Sequence, residues 1–128
     1  MGMDYQYAGC ASYPRFDREL YAIVKIFGGT ETKYLKEIME TEVKNSAGYW
    51  FGFLSSADPK ETKFIFPEGT NEILVKWFND IYNKNFTPAE TKIICENIFE
   101  HPEIKELSSQ IWAELKILYK ENESWYIY

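Results

Sequence analysis

Histidine is the scarcest of the residues able to carry out covalent chemistry: His101 stands alone, followed at once by Pro102. A Ser-His-acid or Cys-His arrangement would have to use it as the general base. Its place between a helix end and a proline reads instead as a surface or capping position. Cys10 and Cys95 lie far apart in the chain, each among apolar or small neighbours. Both are expected as buried free thiols in a reducing compartment, and neither has the surroundings of a nucleophile. One His and two distant Cys make no nitrogen and sulfur zinc site. Asp4, Asp17, Asp58 and Asp80 do not follow the spacing of a calcium loop. Gly28-Gly29-Thr30 lacks both the spaced glycines and the Lys-Ser/Thr ending of a phosphate loop. Two carboxylates can hydrolyse a glycosidic bond, and the chain has Glu96 and Glu100 four apart, then Glu103 and Glu106. That stripe reads more simply as a solvated helix face. The expectation is a protein that is not an enzyme, with no catalytic residues, no metal and no cofactor.

Recognition is what remains, and the charge narrows it. The chain carries a net charge of −6, its positive residues being scattered Lys plus Arg15 and Arg18. Nucleic-acid binding needs clustered positive charge to displace counterions from phosphates, and adsorption to anionic lipid needs it as well. Neither partner is expected. The acidic excess is uneven, because residues 90–128 hold eight Glu against four Lys. Glu96, Glu100, Glu103, Glu106 and Trp112 are the candidate partner-binding residues: acidic groups steer a basic protein inward, and buried rings hold it. The alternative is that acidic helices merely keep a domain soluble. Four Trp, ten Tyr and nine Phe exceed what a small core readily hides. Some rings are therefore candidates for a contact surface, unless Tyr fills half-buried sheet positions. Tyr49, Trp50, Phe51 and Phe53 are also candidates for a small-molecule pocket.

The elements that must position these residues fit a single domain over residues 1–128. Residues 5–13, rich in Tyr and small side chains, read as a strand or extended segment. Pro14 suits the first turn of a helix whose stripe is Phe16, Leu20, Ile23, Val24 and Phe27, ended by Gly28-Gly29. A weaker amphipathic helix spans 30–42. Residues 49–54 and 63–66 read as the arms of a hairpin around the turn at Asp58-Pro59. Thr70 can cap a third helix. Thr87-Pro88-Ala89-Glu90 is a capping box opening a fourth, and Pro102 begins a fifth. Residues 124–128 read as a short aromatic strand or tail. The sum is an α+β fold, a small antiparallel sheet packed by four to five helices. No window approaches the ~18 uncharged apolar residues of a membrane span. The N-terminus lacks a basic region before an apolar stretch, so a cytoplasmic location is expected.

The opening segment Tyr7-Ala-Gly-Cys-Ala-Ser-Tyr-Pro-Arg-Phe-Asp-Arg-Glu-Leu20, running on through Ile23-Val-Lys-Ile-Phe-Gly-Gly29, resembles the N-terminus of small immunity proteins. Such proteins accompany bacterial polymorphic toxins, including contact-dependent growth inhibition systems. The resemblance covers the first quarter of the chain by pattern, and the rest by size, charge and architecture. It implies a cytoplasmic antitoxin that covers the active site, or a nearby surface, of a cognate basic toxin, often a nuclease. It transfers no binding residue position by position. The alternatives are an adaptor or inhibitor encoded by a phage or plasmid and aimed at a host protein, and a small-molecule-binding domain.

Overall fold

The computed structural model describes residues 2–45, 57–58, 60–81 and 85–127. Helix α1 (Tyr13–Ile26) forms where the apolar stripe predicts it. Ser12 caps it by accepting a hydrogen bond from the Arg15 N–H, and Pro14 occupies its first turn. Phe16, Leu20, Ile23 and Val24 are buried along its inner face. Its exit needs glycine twice. Gly28 has φ +77°, and a Cβ on Gly29 would lie 2.5 Å from Val24 and 2.6 Å from Phe66.

Strands are shorter and differently paired than the sequence suggests. Of the segment at 5–13 only β2 (Cys10–Ser12) is strand, and it pairs antiparallel with β1 (Gly2–Asp4) just upstream, Met3 opposite Ala11. Loop 5–9 closes through a Tyr5 N–H donated to the Gly9 carbonyl at 2.8 Å. Of the expected central hairpin, the arm at 49–54 lies outside the described residues. The other arm, β4 (Phe64–Ile65), pairs with β3 (Thr30–Glu31), at the start of the region read as helix. Helix α2 (Lys33–Asn45) begins only after Thr32, whose Oγ1 accepts the Leu35 N–H. The expected closing strand is reduced to one antiparallel bridge between Phe86 and Trp125.

Helix α3 (Glu72–Asp80) is capped by Asn71, not Thr70: Asn71 Oδ1 accepts from Ile73 and Leu74, while the Thr70 hydroxyl donates to Pro67. Helix α4 (Pro88–Phe99) has the reciprocal Thr87/Glu90 capping box, as expected. The helix foreseen from Pro102 is two, α5 (Ile104–Leu107) and α6 (Ser109–Glu121). They break at Ser108, a buried residue at φ −137° whose hydroxyl donates to the Glu19 carbonyl.

Six helices among the described residues, with two small antiparallel ladders, make this an α+β fold. All six helices contribute to one hydrophobic cluster. Among the described residues, most of the rings are buried in it or packed against it. Trp125 stands edge-on to both Trp77 (5.2 Å) and Tyr5 (6.2 Å), and Tyr5 meets Phe16 at 5.9 Å. Such pairs add roughly 0.5–1.5 kcal/mol each beyond the area they bury. Among the described residues no helix is long and apolar enough to cross a membrane.

Candidate partner-binding surface

The four glutamates singled out by spacing all lie on the surface: Glu96 on α4, Glu100 capping its C-terminus, Glu103 in the following turn and Glu106 on α5. Among the described residues Glu96, Glu100 and Glu106 form no ion pair. Glu103 lies 3.4 Å from His101 Nδ1, a pair that is ionic only when the imidazole is protonated. His101 itself packs edge-on against Phe27, with ring centroids 4.8 Å apart. Its surface position after the end of α4 is the one expected. Trp112 is half-buried on α6, its ring 5.0 Å from Phe99 and inclined at 62°. Tyr119, one of the exposed large side chains, meets the same Phe99 at 5.7 Å and 83°. The fold therefore brings Trp112 beside α4, next to the residue lying between Glu96 and Glu100 in register. The spacing of Trp112 and Tyr119, seven apart on α6, was the available signal for this ring row.

Other glutamates counted toward the acidic excess have a different fate. Glu114 is fully buried, and its carboxylate accepts three loop N–H groups: Gln6 at 3.0 Å, Tyr7 at 2.9 Å and Ala8 at 2.9 Å. Burial nevertheless raises its pKa, the three hydrogen bonds opposing that shift. Gln110 donates from the same helix to the carbonyls of Ala8 and Cys10, at 3.0 and 2.9 Å. Glu123 accepts from the Gln6 amide and the Tyr7 hydroxyl. Glu19, on α1, is buried at the start of α6. It accepts the N–H groups of Gln110 and Ile111 at 3.0 and 3.1 Å, and pairs with Arg15. A carboxylate there meets orphan helix donors and the positive end of the helix dipole. Helix α6 is thus capped from α1, across 91 residues, in place of a side chain of its own.

The two thiols separate. Cys95 is buried, donates to the Leu115 carbonyl at 3.4 Å, and has its pKa pushed up to about 12 by burial. It is a thiol and not a nucleophilic thiolate at neutral pH. Cys10, expected to be buried, is exposed, because β2 is an outer arm on which only Ala11 faces the core. Among the described residues no group of three or more His, Cys, Asp or Glu is placed to hold a metal ion.

A groove of about 680 Å³ runs between β4 and α3, its apolar wall from Phe64, Phe66 and Ile73 and its polar rim including Lys60, Glu72 and Lys76. At its base Asn79 takes the place of a neighbouring strand. Its Oδ1 accepts the Phe64 N–H at 2.8 Å and its Nδ2 donates to the Phe64 carbonyl at 3.3 Å. Lys63 is buried beside it, its ammonium donating to the carbonyls of Asp58, Glu61 and Asn79. Burial lowers its pKa, against the nearby acids Asp80, Asp58 and Glu61. The aromatic pocket predicted at Tyr49, Trp50, Phe51 and Phe53 lies outside the described residues.

These features define an acidic α+β fold with a glutamate-bearing helical face and a groove of mixed polar and apolar lining. No protein-family model, curated protein or solved structure matches the chain.

Proposed function

We propose that this protein is an immunity protein. It binds a basic toxin domain, such as a nuclease, in the cytoplasm and neutralises it stoichiometrically, with no catalysis, metal or cofactor of its own. One observation carries the reading: Glu96, Glu100 and Glu106 are exposed and unpaired among the described residues, and the half-buried ring of Trp112 packs on Phe99, which precedes Glu100. Unpaired carboxylates keep their charge available for steering, which speeds encounter with a basic surface at low salt. A large ring at the rim of that field supplies contact area that resists dissociation.

The test is affinity capture with a basic toxin domain encoded beside this gene, read at low and high salt. One-to-one co-elution and loss of toxin activity are expected. Reversing Glu96, Glu100, Glu103 and Glu106 to Lys should slow association and flatten its salt dependence. An unchanged association rate rules this face out, and no co-elution at all rules out the function. The β4–α3 groove favours a second reading, a small-molecule-binding domain. A ligand-induced rise in Tm across a metabolite panel supports it, and a flat panel removes it.

A further inference from the structure

We infer that the outer face of α4 and α6 docks a second copy of this chain across a two-fold axis parallel to the helices. The two helices run antiparallel. Thr91, near the start of α4, accepts the N–H of Trp125 just past the end of α6, whereas Phe99, at the end of α4, meets Trp112 near the start of α6. On the solvent side Phe99 stands between Trp112 and Tyr119, a seam of three rings.

The exposed charges flanking this seam differ in sign between the helices. Helix α4 carries Glu96 and Glu100, and α6 carries Lys116 and Lys120. Among the described residues none of the four forms an ion pair. The register follows from Phe99, which is level with the midpoint between Trp112 and Tyr119. Moving three residues back to Glu96 shifts about 4.5 Å along the axis, to the level of Lys116 and Lys120. Lys92, one turn earlier, comes level with Glu121, so both signs reverse together.

A two-fold axis along the helices lays α4 of one copy over α6 of the other at the same height. Glu96 and Glu100 then face Lys116 and Lys120 of the second copy, twice over, around a closed aromatic centre. This is the self-complementarity an isologous contact requires. Stacking α4 on α4 would instead oppose like charges. Helices of this length and spacing offer a footprint on the order of 400 Å² per copy. That is below the ~800 Å² of a standard stable interface, so the dimer is weak and filled by concentration. The face shares Glu96, Glu100 and Trp112 with the proposed toxin-binding surface, so a basic partner would displace the second copy. The dimer itself does not depend on that function.

Sedimentation equilibrium of the full chain, from about 10 µM to about 1 mM in low salt, reads this directly. Mass is expected to rise from monomer toward dimer, and to fall back at about 0.5 M salt. The pair Glu96→Lys and Glu100→Lys should weaken the dimer tenfold or more. Adding Lys116→Glu and Lys120→Glu to that pair should restore it to within about threefold, circular dichroism confirming that each variant is folded. Monomer mass throughout, a dimer indifferent to the first pair, or no restoration by the second pair overturns the inference. None of these results bears on toxin capture, which is read separately.

Discussion

Two sets of glutamates in this molecule have the same side chain and opposite physical roles. At the junction of α1, α6 and loop 5–9, Glu19 and Glu114 are buried, and their oxygens face two and three backbone N–H groups. On α4, Glu96 and Glu100 stand in water with no ion pair among the described residues. The first pair organises the fold, because a buried carboxylate is tolerable only where fixed donors replace its hydration. The second pair is free to act on other molecules. A charge count that treats all four alike overstates the acidity available to a partner.

Mutations should separate the two sets, from large effects to small. Glu114→Ala strands three loop N–H groups in a buried setting, and each stranded donor costs roughly 1–3 kcal/mol. A loss of about 3 kcal/mol or more is expected in urea unfolding, with faster amide exchange at Gln6, Tyr7 and Ala8. A loss below about 1 kcal/mol would mean that water replaces the carboxylate, and the contrast would collapse. Glu19→Ala removes the cap of α6 and should cost about 2 kcal/mol, with exchange rising first at Gln110 and Ile111.

A smaller effect follows from pH. Burial raises the pKa of Glu114 in the fold above its unfolded value. The cost of holding it ionised is therefore complete above the folded pKa and absent below the unfolded one. As pH falls from 7 through that interval, the wild type should gain stability relative to Glu114→Gln, whose side chain does not titrate. Paired urea melts across this range check the sign, and a gap that shrinks toward acid contradicts the assignment. Smallest of all, Glu96→Ala and Glu100→Ala should each change stability by no more than about 0.5 kcal/mol. A larger loss would show that the α4 face supports the fold after all.

The elements legible in the sequence are those decided within a few residues. The Thr87/Glu90 box, Pro14 in the first turn of α1 and the stripe Phe16, Leu20, Ile23, Val24 all form as read. Errors gather where the partner is distant. Thr30–Glu31 left the expected helix because Phe64–Ile65 offered a strand. The helix after Pro102 broke at Ser108, which donates to a carbonyl on α1. Cys10 lies outside because β2 buries only Ala11. At the candidate surface, composition and helical spacing picked out exposed Glu96, Glu100, Glu103 and Glu106 and the half-buried Trp112. The seven-residue spacing put Trp112 and Tyr119 on one face of α6, but only packing brought Phe99 of α4 between them.

By itself, the sequence determined most of the helices, the Thr87/Glu90 capping box, the apolar face of α1 and the acidic balance, because such signals come from neighbours three and four residues away. Tertiary structure alone decided which glutamates are buried, which strands pair and which rings reach the surface. Those outcomes depend on groups as far apart as Tyr7 and Glu114, or Glu19 and Gln110, which meet only once the helices have packed.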